Sequence, residues 1–317
     1  MQREGIPISA QKKFRFGVYM VEPFQGMTWA DSVREIEALG YSTLSAPDHM
    51  EEGFGPITAM ATAAMVTTTL QVGTAVFAAD FRHPAVLARE LASIDQLSEG
   101  RLEVGLGAGY QVRDYRTTGI PMDRAGIRVS RLFEHVAVLR GLFASGSFDF
   151  EGEHYEIRGL DGTPAPFREG GPPIFVAGGG PRMLRFAARH ADIVGVNRTL
   201  PSSEVKDATV FDGVADRIDE KFELIRAEAG ERYDDLVFHG NLRNVKVTDD
   251  RRAFAETVAA QSGLSLEDEL TSPFMLAGTI DQMVEQLHRQ RDRWGYTYYT
   301  IPDTAVRELA PLLAALA

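Results

Sequence analysis

Eight short apolar runs recur along the chain, and helix-length text separates most of them. They are "FRFGVYM" (Phe14–Met20), "YSTLSAPDH" (Tyr41–His49), "LQVGTAVFA" (Leu70–Ala78), "RLEVGLGAG" (Arg101–Gly109), "PIFVAGGG" (Pro173–Gly180), "ADIVGV" (Ala191–Val196), "DLVFHGNLRNVKV" (Asp235–Val247) and "TYYTIP" (Thr297–Pro302). Several are apolar almost without alternation, which marks strands covered on both faces and hence a parallel sheet. Helix punctuation falls between them. Thr28 is placed to cap a first helix that ends at Gly40, and Pro56 and Pro84 open the next two. Further helices are predicted over Arg124–Phe143, Pro181–His190 and Asp216–Ala229, and through Gln282–Arg293. Eight parallel strands close a ring, so the predicted fold class is α/β, a (β/α)8 TIM barrel. An open doubly wound sheet would need a glycine fingerprint after the first strand, and "GVYMVEPFQG" is not one.

The rhythm breaks between Ala144 and Pro173. "FDFEGEHYEI" is predicted to form a hairpin about Glu151-Gly152, followed by a Gly/Pro-rich tract. This insertion, residues 144–173, is expected to act as a lid or wall over the mouth of the barrel. Residues 1–13 are expected to be a flexible lead-in to a single domain spanning 14–317.

Composition narrows the chemistry. There is no cysteine, which removes disulfides, thiolate nucleophiles and thiolate metal sites. A net charge of −12 argues against a nucleic-acid partner. The run "ITAMATAAMV" is far shorter than the 18 or so residues of a membrane span, so no membrane association is expected and a cytoplasmic protein is the simplest reading. The seven histidines show no metal-ligand spacing, so no metal site is expected.

In a barrel of this kind the functional residues come from the C-terminal ends of the strands. Those positions hold Glu22, Asp48-His49, Ala75 to Ala78, Gly107 to Tyr110, Gly178-Gly179-Gly180 and Asn197-Arg198. Histidine gives or takes a proton near neutrality, which suits His49 to acid–base work, although capping of the strand's exit loop explains a histidine equally well. The triple glycine is either a tight turn or an anion site, where backbone N–H groups converge at a helix N-terminus. A turn explains one or two glycines, and three favour the anion site.

"APDH", the block "GTAVFAADFRHPAVLARELASIDQLSEGRLEVGLGAGYQVRDYRTTGIP" and "VAGGGP" with "AARHADIVGV" together resemble the luciferase-like flavin and deazaflavin oxidoreductases, the bacterial luciferase-like superfamily, over the second to sixth strands. The branch using coenzyme F420 is the closer likeness. The resemblance implies a luciferase-like barrel that moves hydride between F420 and a small organic substrate. An FMN-dependent monooxygenase is the alternative, and a non-catalytic deazaflavin carrier a second. It also implies a cis peptide at Ala75–Val76 behind the cofactor ring, and Ala78 and Gly107 beside it. The loop Ala177, Gly178, Gly179 and Gly180 would hold the phosphate, with Arg182 on the phosphate or the anionic tail. Asp48 would touch the cofactor and His49 the hydride-transfer centre. Tyr110 would donate a proton or pack beside the ring, while Arg113 and Asp114 would be cofactor contacts or a local surface pair. Two departures bear on the substrate: Tyr110 stands where the family's sugar-phosphate dehydrogenases carry glutamate, and "HMEEGFGP" lacks the tryptophan that follows their histidine. The family's habit further implies a homodimer through the second and third helices, and allows a partner enzyme that reduces the cofactor.

Overall fold

Eight parallel staves close into a ring in the computed structural model, which describes residues 12–144, 146–199 and 211–316. In chain order the strands are β1 (Arg15–Tyr19), β2 (Thr43–Ala46), β3 (Gln71–Thr74), β4 (Phe77–Ala78), β5 (Leu102–Gly107), β6 (Ser147–Glu151), β7 (Glu156–Asp161), β8 (Ile174–Gly178), β9 (Ile193–Val196), β10 (Val237–Asn241), β11 (Asn244–Val247), β12 (Met275–Gly278) and β13 (Tyr296–Pro302). The helices are α1 (Trp29–Ala38), α2 (Pro56–Val66), α3 (Pro84–Leu97), α4 (Val112–Thr118), α5 (Ala125–Phe143), α6 (Pro181–His190), α7 (Ala215–Ala229), α8 (Arg251–Ser262), α9 (Leu266–Thr271), α10 (Ile280–Trp294) and α11 (Val306–Leu316). The ring runs β1, β2, β3 with β4, β5, β8, β9, β10 and β13, and β13 pairs with β1 to close it. This is the (β/α)8 barrel that the apolar runs predict.

The predicted caps hold. The Thr28 hydroxyl accepts the Asp31 N–H at the start of α1, and Pro56, Pro84 and Pro181 occupy first turns, where a missing N–H costs nothing. Val18, Val72, Leu102, Val104, Leu106, Ile174, Val176 and Val194 are buried against the helices. The inside of the ring is polar. Arg15 donates to Thr43 and Glu103 and lies over the Tyr298 ring, whose hydroxyl donates to Glu103 at 3.2 Å. His239 sits between the Phe175 and Tyr298 rings with its Nε2 2.7 Å from Thr300 Oγ1. Burial lowers its pKa to about 3. Among the described residues no helix is long and apolar enough to cross a membrane.

The structure departs from the sequence reading in four places. The third strand is two pieces, β3 and β4, interrupted at Ala75–Val76; both pair with β5, so the ring stays closed. The seventh run holds two strands: β10 stays in the ring, whereas β11 leaves it to pair with β12, a strand the sequence reading lacks. The short helix α4 is also additional. The insertion does not cover the mouth. Its hairpin β6–β7 lies along the outside of α5, because the Glu134 carboxylate accepts the N–H groups of Glu153, His154 and Tyr155 at the turn. The following tract tucks under the N-terminal end of the barrel, where Arg168 N–H donates to Asp95 and Gln96 donates to the Ala165 carbonyl. Of the predicted lead-in, residues 1–11 lie outside the described residues.

Candidate active site

The exit of β2 sets the site. Asp48 is buried, and its Oδ2 accepts the Ala78 N–H at 3.0 Å and an Arg82 N–H at 2.7 Å, which ties this exit to β4. Burial pushes its carboxyl above the usual aspartate range, and the Arg82 guanidinium and Ala78 N–H offset part of that push. The next residue, His49, turns toward α4. Its Nδ1 lies 2.7 Å from Asp114 Oδ2, while Asp114 Oδ1 accepts the Met50 N–H at 3.2 Å. A carboxylate only accepts, so the ring proton sits on Nδ1 and the Nε2 lone pair is left facing outward. The Tyr110 hydroxyl lies 3.4 Å from that Nε2, with the two rings edge to face. Asp114 is buried and Tyr110 is 39% exposed, so the triad opens from a fixed base toward solvent.

Helix α4 holds Asp114 in place. Its Tyr115 hydroxyl donates to Asp80 Oδ2 at 2.7 Å, and Arg131 bridges Asp80 to Asp123. The approach is close: a Cβ on Gly109, whose φ is +72°, would lie 1.9 Å from the Tyr115 hydroxyl. This position admits only glycine.

At the junction of β3 and β4, the Ala75–Val76 peptide is cis. The glycines of β5 make room for it. A Cβ on Gly105 would lie 1.9 Å from the Thr74 carbonyl oxygen, and one on Gly107 would lie 2.7 Å from Val76 Cγ2.

The triple glycine divides in function. A Cβ on Gly178 would press on Met183, and one on Gly179 would meet the Arg198 carbonyl carbon and Thr199 nitrogen at 2.4 Å. The Arg198–Thr199 segment is pinned from behind. Lys221 Nζ donates to the Asn197 carbonyl and to Asp212 Oδ2, which also accepts the Thr199 N–H, each at 2.7 Å. Packing therefore accounts for Gly179. Gly180 is different: its φ is −78°, and an added Cβ would meet nothing within 4 Å. It stands as the N-cap of α6, with no side chain capping the helix. A bare helix start with open space before it fits an anion such as a phosphate.

Other residues singled out from the sequence lie apart from these contacts. Ala177 and Gly178 end β8, half-buried. Arg113 pairs with Glu51 on the surface, 65% exposed. Arg182 reaches across to α5, donating to the Gly126 carbonyl at 2.8 Å with its guanidinium over Phe133. Arg82, Lys221 and Asp212 are functional neighbours that the sequence does not single out, and it leaves two roles open for Asp114. The Asp114–His49 pairing carries no local signal, since the two are 65 residues apart. Among the described residues no group of three or more His, Asp and Glu is placed to hold a metal ion.

Comparison with known proteins places the chain in a family. The family model for luciferase-like monooxygenases matches residues 28–210. An F420-dependent glucose-6-phosphate dehydrogenase 1 of Rhodococcus jostii is 34% identical over 166 residues, 49% of each chain. The F420-dependent glucose-6-phosphate dehydrogenase of Nocardia farcinica is 28% identical over 88% of this chain and 82% of its own. The chain spans about half the length of the first of these curated relatives. Among solved structures, the coenzyme F420 dependent tetrahydromethanopterin reductase of Methanopyrus kandleri superposes with a TM-score of 0.76 at 17% identity, covering 96% of this chain and 99% of that one, which shows a shared fold. With more than half of its length matched by the family model, the chain belongs to the luciferase-like monooxygenase family.

Proposed function

We propose that this protein transfers hydride between coenzyme F420 and a small alcohol or carbonyl compound. The observation that carries the reading is the fixed Asp114–His49–Tyr110 triad at the end of the barrel that also presents the uncapped start of α6. The names of the Rhodococcus and Nocardia relatives support the choice of F420 over FMN. When bound, the coenzyme supplies a ring carbon that accepts or returns a hydride.

The chain's own residues divide the remaining work. The open backbone at Gly180 and the positive end of α6 hold the phosphate. The Ala75–Val76 backbone, backed by Gly105 and Gly107, would form a wall against the coenzyme ring. In alcohol oxidation the substrate O–H proton passes to His49 Nε2 as the C–H hydride leaves; in carbonyl reduction the same nitrogen returns it. Asp114 keeps the Nδ1 proton in place and so keeps Nε2 available. Tyr110 hydrogen-bonds the substrate oxygen or Nε2. Glucose 6-phosphate, the substrate in the relatives' names, is the first compound to assay. Tyr110 in the glutamate position and the missing tryptophan favour a different alcohol.

A homodimer through α2 and α3, where Met65 and Val86 are exposed, and a cytoplasmic location belong to the same reading. In the direction of carbonyl reduction, a separate F420-reducing enzyme would complete the cycle. Fluorescence titration with F420 and with FMN tests the central reading. Binding of F420 is expected, and His49→Ala should retain it while losing turnover. Submicromolar binding of FMN with none of F420 would overturn the choice of cofactor, and unchanged turnover in His49→Ala would remove the acid–base role.

A further inference from the structure

A groove of about 740 Å³ runs down the outside of the barrel between α5 and α6, lined by Arg140, Arg182, Arg185, Arg189 and the Phe133 and Phe186 rings. It starts at the glycine loop, since Arg182 is the second residue of α6 and its bond to the Gly126 carbonyl bridges the N-terminal ends of both helices. From there Arg182, Arg185 and Arg189 descend one side of α6 at helical spacing, a ladder of about 10 Å. The floor is apolar: Phe133 and Phe186 stack with centroids 3.9 Å apart, and His190 lies beyond them, 4.7 Å from Phe186.

Four arginines and one carboxylate, Glu134, line the groove, so its lining carries an excess of positive charge although the chain as a whole is at −12. Burial first, and then the guanidiniums of Arg232, Arg189 and Arg140, hold His190 below its ordinary range. The ladder already grips one carboxylate: Glu228 accepts from Arg185 at 3.1 Å and from Arg189. Arg140 likewise pairs with Asp192 at 2.7 Å. These contacts show the groove's preference in miniature, namely carboxylates spaced along a line beside apolar surface.

We infer that the α5–α6 groove seats the acidic tail of the coenzyme, a chain of linked glutamates that leaves the phosphate at Gly180 and descends past Arg182 to Arg185 and Arg189. The inference rests on the F420 reading. The phosphate position fixes where the tail begins, the arginines match its charges, and the ring floor accommodates its methylenes. Glu228 then acts as an internal competitor that each tail carboxylate displaces in part.

The test compares F420 carrying one glutamate with F420 carrying about five, by fluorescence titration at low and at 0.5 M salt. At low salt the long-tailed form is expected to bind about tenfold tighter to the wild-type protein, on the basis of up to about fivefold per exposed ion pair. High salt should remove that advantage. The double variant Arg185→Gln/Arg189→Gln should lose it as well while binding the short-tailed form as before, and Glu228→Gln should enlarge it. Equal binding of both forms by the wild-type protein overturns the groove assignment alone. Failure of both forms to bind overturns the F420 reading and the assignment together.

Discussion

Replacing Asp114 by asparagine is the sharpest probe of the triad, because it changes charge and donor pattern while keeping shape. The two carboxylate oxygens serve two N–H donors, His49 Nδ1 at 2.7 Å and Met50 N at 3.2 Å. An amide has only one acceptor oxygen. If that oxygen faces His49, the Nδ2 donors point at the Met50 N–H, donor against donor, at a buried site, which costs about 1–3 kcal/mol. If it faces Met50, no donor is stranded, but Nδ2–H meets Nδ1 and the ring proton must move to Nε2. In that tautomer His49 cannot take a proton from the substrate. The active arrangement is then populated at roughly 1–15%, so kcat for alcohol oxidation should fall by about 5- to 150-fold. The loss is bounded by that of His49→Ala, about 10²–10⁴-fold for a general acid–base. Cofactor affinity should change by less than about twofold, since Asp114 contacts neither the α6 start nor the β3–β4 junction. Steady-state kinetics of the two single variants and the double variant decide the matter. Asp114 acts through His49, so Asp114→Asn should cost almost nothing further in the His49→Ala background. Additive losses, or a kcat within about twofold of wild type in Asp114→Asn alone, would refute the positioning role.

The glycine contacts and the two buried histidines set three further outcomes. Gly180→Ala should leave thermal stability within about 0.5 kcal/mol while weakening F420 binding about tenfold; Gly179→Ala, whose Cβ meets backbone at 2.4 Å, should destabilise by about 1–3 kcal/mol, and equal effects on melting temperature would contradict the division between them. Gly105→Ala, with its Cβ 1.9 Å from the Thr74 carbonyl oxygen, should destabilise at least as much as Gly179→Ala in the same melting assay. Burial lowers the pKa of both His135 and His239 to about 3, so the unfolded chain takes up these two protons first as pH falls below about 6.5. The stability they confer is complete above that pH and is lost on the way down toward 3, at about 1.4 kcal/mol per pH unit for each. Urea midpoints between pH 6.5 and 5, above the range where ordinary carboxylates titrate, should show this slope, and His239→Gln should roughly halve it.

The barrel is legible in the sequence because burial on both faces leaves strands such as "VAG" after Ile174-Phe175 almost without polar positions, and because Thr28, Pro56, Pro84 and Pro181 mark helix starts. Legibility fails where two signals merge or where none exists. "VFHGNLRNVKV" holds strands of two different sheets separated only by Leu242-Arg243, too little to reveal that the chain leaves the ring. The strand Met275–Gly278 is short, and α4 has only seven residues, which is too few for a helical repeat to register. The break at Ala75–Val76 has no side-chain signature, and it enters the sequence reading only through family likeness. At the glycine loop the sequence shows three equivalent letters, whereas Gly179 answers to the Arg198–Thr199 backbone and Gly180 to open space. Asp114 shows the same limit: whether it meets a neighbour on the surface or a histidine two strands away is decided by the closure of the ring.

The insertion clipped to the flank of α5 has a bearing on how such a protein diversifies. Since the belt formed by the hairpin and its trailing tract grips the barrel's side and underside, the entrance is framed by the short stretches after β2 and β5 instead. Those stretches, residues 49–55 and 110–111, include the exposed Met50 and Phe54, of which Phe54 lies edge to face with Trp29. Exchange of a few such side chains can redirect which molecules enter without loosening the hoop beneath, so taste for a substrate can drift while the scaffold stays the same.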